Sequence, residues 1–351
     1  VLFRSLKELL GSSFKKLSKV STSPKSYNNK YGVPLSLFNI NEKDEYGILE
    51  VGMDKKGEID FLSKIIKPDV SVITNINYAH AKNFKNIKEI ALAKSEIINN
   101  TKNNGFLILN SDDNFFNLQK KIALKKNINI ISFGIKNKNS NIKLLNIQKV
   151  RQKYKITIKI NNLKSYFLIS NNFQNNILNI LATLAVMSIF IDILKINKNF
   201  FVNFKTPNGR GNFSKIKFKN KNLNLIDESY NSNPLSLSSA ILNYDKITSK
   251  NSKKYLLLGD MLELGKHSKK LHQSIAKIIN QTKIDKVFVK GQKILNTFNL
   301  VSKLKKGRIL KNNSQIINLI KNDLNNNDYL MVKASNATGF NKIVNNLKGL
   351  K

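Results

Sequence analysis

No cysteine occurs in the 351 residues. This excludes a disulfide framework and thiolate metal ligation, and makes a reducing compartment, the cytoplasm, the expectation. Arginine is nearly as scarce, with Arg4, Arg151, Arg210 and Arg308 the only ones among 60 basic residues. Set against 22 acidic residues, these give a formal charge of +38, which by itself attracts polyanions. Arginine, however, is the side chain whose planar fork suits phosphates and base edges. Lys, Asn and Ile are abundant together along the whole chain, as translation of an AT-rich genome would give. The charge is therefore read as solvated surface, and no nucleic-acid partner is expected.

The first residues lack a basic region leading into an apolar core and a small-residue cleavage site, so no export signal is readable. Long hydrophobic runs are missing too. The nearest is Ile177 to Leu194, which approaches the ~20 residues of a membrane span but contains Asn179, Thr183 and Asp192. It reads as a buried helix of a soluble domain. A phosphate-binding loop of the Walker type is also absent. GDMLELGKH from Gly259 has one residue too many between its glycines, and His267 stands where a metal-holding Ser or Thr belongs.

What is present is a repeated alternation of short Ile, Leu and Val runs with helical patterns, the signature of parallel sheets covered by helices. The first series includes YGILEVG from Tyr46, VSVITNI from Val70 and GFLILNS from Gly105, followed by basic alternating segments such as YKITIKI from Tyr154. A second series follows TPNGRG at Thr206 to Gly211: LNLIDES, KYLLLGD, KVFVKG and DYLMVKAS. The Pro and Gly cluster marks a boundary, giving domains over 1–207 and 208–351. The fold class expected is α/β, with a parallel sheet in the first domain and a Rossmann-like arrangement in the second.

Ligands in such sheets gather at the carboxyl ends of strands, where Glu50, Asn75, His80, Asp227, Asp260 and Lys333 fall. Glu50 closes a run too apolar for a surface strand, so its carboxylate needs a partner, and a hard cation such as Mg2+ is one choice. Lys94 is the most informative residue. In IKEIALAKSEII the residues Ile87, Ile90, Ala91, Ile97 and Ile98 form one helical stripe with Lys94 in its middle. An inward amine is costly to charge, so its pKa falls and it can take up carbon dioxide as a carbamate, a metal ligand. The alternative is a lysine that snorkels to solvent.

DESYNSNP (Asp227 to Pro234) and LGDMLELG (Leu258 to Gly265) resemble signatures of the Mur ligase family, in the branch that adds D-alanyl-D-alanine to UDP-N-acetylmuramoyl-tripeptide. Further matches follow in order: YNNKYGVP from Tyr27, ILEVG around Glu50, TNI with His80, AKSEI around Lys94, NNILN from Asn175, and GRG at Gly209 to Gly211. The resemblance implies ATP-driven ligation through an acyl phosphate in peptidoglycan precursor synthesis, by a monomer whose two domains close around ATP. It implies two Mg2+ ions, one held by Glu50 and His80 and the other with help from carbamylated Lys94, so that Lys94 and His80 are the catalytic candidates. It also implies nucleotide contacts from Asn28, Asn179, Arg210, Asp227, Tyr230 and Asn231.

The sequence departs from the family pattern in several places. Phe173 and Asn175 stand where Gly and His are usual, Lys82 where an acid is frequent, and Asn336 where the late strand carries Arg. LKELLGSSF resembles the helix that follows the family's Gly-Lys-Thr loop. The phosphate loop and the domain that holds the UDP-sugar are thus expected to lie outside this sequence, whose VLFRS start matches an in-frame sequencing adapter and is read as non-native over Val1 to Ser5.

Overall fold

The structure is a computed structural model that describes residues 2–78, 81–204, 206–218, 220–247 and 251–349. It divides into two compact units, residues 1–205 and 206–351. In the first unit the elements are α1 (Leu2–Phe14), β1 (Val20–Thr22), α2 (Gly32–Phe38), β2 (Tyr46–Ile48), α3 (Glu58–Ile66), β3 (Val70–Ile73), α4 (Ile87–Ser95) and β4 (Phe106–Asn110). They continue with α5 (Phe116–Leu124), β5 (Asn129–Gly134), β6 (Ile142–Val150), β7 (Lys153–Ile160), β8 (Leu163–Ile169) and α6 (Gln174–Met187).

Strands β3 to β8 form one sheet in chain order, parallel through β6 and antiparallel across β6, β7 and β8. Strands β1 and β2 pair in parallel as a separate two-stranded sheet. Three of the five pairings in the larger sheet are thus parallel, as expected, and the other two are antiparallel. β7 and β8 alternate buried and exposed positions, as strands with one solvated face do, which is why they read in sequence as basic alternating segments. Ile156, Ile158, Phe167 and Ile169 on their inner face join Leu6, Leu9, Phe14 and the apolar face of α6 in one core.

Helix α6 ends at Met187, earlier than the run to Leu194. Asp192 caps a short 3-10 turn there by accepting from the Leu194 N–H, and a carboxylate in that role starts a new element. Among the described residues no helix is long and apolar enough to cross a membrane.

The second unit comprises β9 (Asn212–Phe218), β10 (Lys221–Glu228), α7 (Pro234–Asp245), β11 (Lys254–Gly259), α8 (Ser268–Asn280), β12 (Lys286–Lys290), α9 (Leu295–Phe298), β13 (Lys306–Ile309), α10 (Asn313–Asn322), β14 (Tyr329–Lys333) and α11 (Phe340–Gly349). Its sheet runs β13-β12-β11-β14-β10-β9, parallel except for β9 against β10. The order jumps from β11 to β14 and back to β10. This places the ends of β10, β11 and β14, and the loops that leave them, side by side.

Candidate active site

In the first unit the loop from Ser23 to Asn28 folds under the segment that follows β2. The Lys7 ammonium, on α1 and 3% exposed, holds this loop by donating to the Ser23 and Lys25 carbonyls. Ser23 in turn accepts from the Glu50 N–H at 3.2 Å through its hydroxyl, and the Asn28 carbonyl accepts from the Gly52 N–H at 2.7 Å. Glu50 lies two residues beyond the last residue of β2, so the expectation that it ends the strand is corrected: the backbone has left the ladder and is held by Ser23. The Asn28 amide donates to Glu50 Oε1 at 2.9 Å. Oε2 is buried with no hydrogen-bond partner among the described residues.

Helix α4 starts at Asn86, whose side chain accepts from the Glu89 N–H at 3.1 Å. Ile90, Ala91 and Ala93 are buried. The helix tightens into a 3-10 segment over Glu96–Asn100, so Ile97 and Ile98 lie outside the regular helix, although Ile98 still enters the core. Lys94 points inward as its place in the stripe implied, and Nζ donates to the Asn75 carbonyl at 2.8 Å. Burial lowers its pKa to about 8, and the Asp113 carboxylate acts in the opposite direction. That carboxylate is itself fixed by the Ile76 N–H at 2.7 Å. His80 lies outside the described residues.

On α6, Asn179 is 3% exposed and its Oδ1 has no hydrogen-bond partner among the described residues. Asn176 Oδ1 and Thr183 Oγ1 share that state. Spaced three and four residues apart, the three lie on one side of the helix.

In the second unit the Arg210 guanidinium lies 4.4 Å from the centre of the Tyr230 ring. Gly209 at φ +76 lets the two segments meet, since a Cβ there would fall 2.8 Å from Tyr230 Cβ. Asp227 is buried and engaged inside the unit. Oδ1 accepts from the Ser229 N–H at 3.1 Å and its hydroxyl at 2.6 Å, and Oδ2 pairs with Lys348. Glu228 pairs at 3.0 Å with Lys333, which is fully buried and also donates to the Asn231 carbonyl at 3.0 Å. Asn231 is exposed. Asn336 opens a 3-10 turn and accepts from the Asn341 amide at 2.9 Å.

Sequence reasoning missed Lys7, Ser23, Asp113, Lys348 and His272. The last could have been found, because it falls on the stripe of Ile275, Ala276 and Ile279 that α8 buries. The others bind across large sequence separations and left no periodic signal.

In α/β units, polar groups gathered at strand ends mark where a ligand binds, and similarity to known proteins identifies the class. Residues 4–187 match the Mur ligase middle domain, and residues 213–336 match the Mur ligase, glutamate ligase domain. The chain belongs to the Mur ligase family of ATP-dependent amide ligases. Within that family it is similar to the UDP-N-acetylmuramoyl-tripeptide–D-alanyl-D-alanine ligase of Buchnera aphidicola subsp. Baizongia pistaciae, with 34% identity over 98% of this chain and 72% of that protein. The ligase of the same name from Bacillus subtilis is 30% identical over 92% of this chain and 68% of its own length. Among solved structures, MurF of Thermotoga maritima in complex with ADP superposes with a TM-score of 0.84 at 24% identity, covering 99% of this chain and 77% of that one. MurF of Acinetobacter baumannii gives 0.83 at 24% identity, covering 98% and 74%.

Proposed function

We propose that this chain serves the joining of D-alanyl-D-alanine to UDP-N-acetylmuramoyl-tripeptide in peptidoglycan precursor synthesis, driven by ATP, as a monomer in the cytoplasm. Residues 1–207 serve as the central ATP-binding domain and 208–351 as the C-terminal ligase domain. A carboxylate oxygen of the tripeptide attacks the γ-phosphorus and ADP leaves. The deprotonated amine of the dipeptide then attacks the resulting acyl phosphate, and the tetrahedral intermediate collapses with release of phosphate. The observation that carries this reading is the 34% identity, over 98% of the chain, to a ligase of that name.

The residues present fit a hard cation. Glu50 Oε2 is a buried acceptor that lacks a donor, an arrangement costly to keep unless a cation occupies it. Glu50 and His80 would hold one Mg2+, and Lys94 as its carbamate would help to hold the second. Bound there, Mg2+ supplies positive charge against the developing phosphoryl oxygens. Asn28 orients the Glu50 carboxylate. Lys94, with its pKa lowered to about 8, spends enough time as a neutral amine at neutral pH to bond carbon dioxide, losing its proton as the carbamate forms.

Asn179 would accept from the exocyclic amine of adenine through the oxygen that has no protein donor, the pairing geometry that asparagine offers adenine. Arg210, stacked on Tyr230, and Asn231 would contact the nucleotide from the second unit. Asp227 acts there by setting the loop that carries Tyr230 and Asn231, since both of its oxygens are engaged within the unit.

The experiment is phosphate release from ATP with both acceptor substrates, coupled to mass analysis of the peptide product. Release that does not need the dipeptide, or a product formed with a different amine, would overturn the reading.

A further inference from the structure

Lys7 lies on α1 among the buried residues Leu6, Leu9 and Leu10 and is as buried as they are. An ammonium in such a place is costly unless its donors are used. It has three N–H groups. Two of its contacts are main-chain carbonyls, of Ser23 at 2.5 Å and of Lys25 at 2.7 Å, and the third is the Glu8 carboxylate, whose Oε1 lies 3.4 Å away. The protein itself therefore takes up the ammonium. What Lys7 serves is the loop that owns the two carbonyls.

Strands β1 and β2 run in parallel with Thr22 opposite Ile48, so the segments that leave them emerge at the same sheet edge. Ser23 follows β1, and its N–H still donates to the Ile48 carbonyl at 2.9 Å. The chain then turns, the Tyr27 N–H donating to the Pro24 carbonyl at 3.0 Å, with Lys25 at φ +44. A residue with a Cβ stays in that left-handed region when its surroundings hold it there, and the bond from Lys7 to the Lys25 carbonyl is such a hold. Helix and strand approach closely enough for this contact at Gly11, where a Cβ would fall 2.6 Å from Thr22 Cγ2.

Both ends of this loop act on Glu50. At one end the Ser23 hydroxyl accepts from the Glu50 N–H at 3.2 Å. At the other the Asn28 amide donates to Glu50 Oε1 at 2.9 Å, and the Asn28 carbonyl accepts from the Gly52 N–H at 2.7 Å. We propose that Lys7 is a positioning residue for the cation site at Glu50: it fixes the loop from Ser23 to Asn28, and through the loop the direction in which the unpartnered Oε2 of Glu50 faces. The proposal rests on the Mg2+ reading of Glu50 above. Mg2+ demands near-ideal octahedral geometry, so a loop that wanders weakens the site while every ligand is still present.

The test is direct binding of Mn2+, which takes the oxygen ligands that suit Mg2+, followed by EPR of the free ion. Wild type is compared with Lys7→Met, Asn28→Ala, the double variant, and Leu9→Val, which loosens the core on the same helix. Thermal melts accompany each titration. Lys7→Met should weaken Mn2+ binding by ~10–100-fold, the effect of losing a group that orients a ligand, whereas Leu9→Val should melt lower with Mn2+ affinity unchanged. Since Lys7 and Asn28 act through one loop, Lys7→Met should cost less in the Asn28→Ala background than alone. Wild-type affinity in Lys7→Met, fold-losses that simply multiply in the double variant, or an equal loss of affinity in Leu9→Val overturns the proposal. If Lys7→Met does not fold, Lys7→Gln, which keeps a donor for one carbonyl, is read by the same outcomes. Absence of Mn2+ binding by the wild type counts instead against the Mg2+ reading. Amide exchange then decides the role of Lys7: the Glu50 and Gly52 N–H groups should exchange faster in Lys7→Met than in Leu9→Val, and equal protection overturns its hold on the loop.

Discussion

The Asn28 side chain donates to one oxygen of Glu50 at 2.9 Å and leaves the other buried without a hydrogen-bond partner among the described residues. The amide therefore fixes which way the carboxylate presents its unpaired oxygen. Residues behind a metal ligand tune affinity through orientation, and their loss typically costs ~10–100-fold in metal affinity. Asn28→Ala should raise the Mg2+ concentration for half-maximal phosphate release by about that factor. Glu50→Gln should abolish release at any Mg2+ concentration. A Mg2+ titration that is superimposable on wild type for Asn28→Ala would remove the orienting role.

Lys94 carries a second prediction, in pH. Its folded pKa of about 8 lies below the ordinary lysine value because burial disfavours the ammonium. Between pH 8 and the unfolded value near 10.4, the unfolded chain holds a proton that the native chain has released. Stability from this group therefore rises with pH across that window and is lost as pH falls toward 8. Melting temperatures of wild type relative to Lys94→Met should diverge in favour of wild type from pH 8 to 10. Added bicarbonate should stimulate wild-type turnover, and short carboxylates should partly restore Lys94→Ala. Full activity in the alanine variant would end the carbamate role.

His272 is neutral in the fold, its pKa lowered mainly by burial. Below its unfolded pKa of about 6.5 the unfolded imidazole gains a proton that the native one refuses. Its contribution is therefore present above that pH and declines as pH falls toward the native value. Acidification from pH 7.5 to 5 should lower the melting temperature of the second unit more in wild type than in His272→Gln. Equal losses would show that another group governs the acid response.

Lys333 and Glu228 form a pair whose lysine is fully buried. Glu228→Gln would leave the ammonium without its counter-charge and should destabilise the second unit by ~3–5 kcal/mol, the range for breaking a buried pair. Glu228→Leu combined with Lys333→Met should recover most of that loss. Urea titration of the three proteins measures it, and a double variant no better than Glu228→Gln would refute the unpaired-charge explanation.

The apolar runs from Gly105, Lys254, Lys286 and Asp328 became strands because consecutive buried positions on both faces leave a continuous signal. Lys94 was legible for a similar reason: it interrupts a helical stripe, although periodicity alone left open whether its amine turns inward or snorkels to solvent, and the bond to the Asn75 carbonyl made that choice. Motif order along the chain placed Asn28, Glu50, Asn179, Arg210 and Asp227 among the candidates before any contact was known. Short or half-solvated strands such as β1, β9 and β13 escaped notice, because three to seven residues with one wet face carry little pattern.

Only the tertiary structure decided what those candidates touch. Asp227 is expected from the motifs to contact nucleotide, and the structure adds that its oxygens meet Ser229 and Lys348, the latter 121 residues away. Glu50 looked like a strand end, yet it stands beyond the strand, held by Ser23 and turned by Asn28. Hydrophobic period is a local property, written into neighbouring residues by the geometry of one helix or strand. Hydrogen-bond partnership is set by which strand ends the sheet brings together, and here the order of β10, β14 and β11 makes that choice.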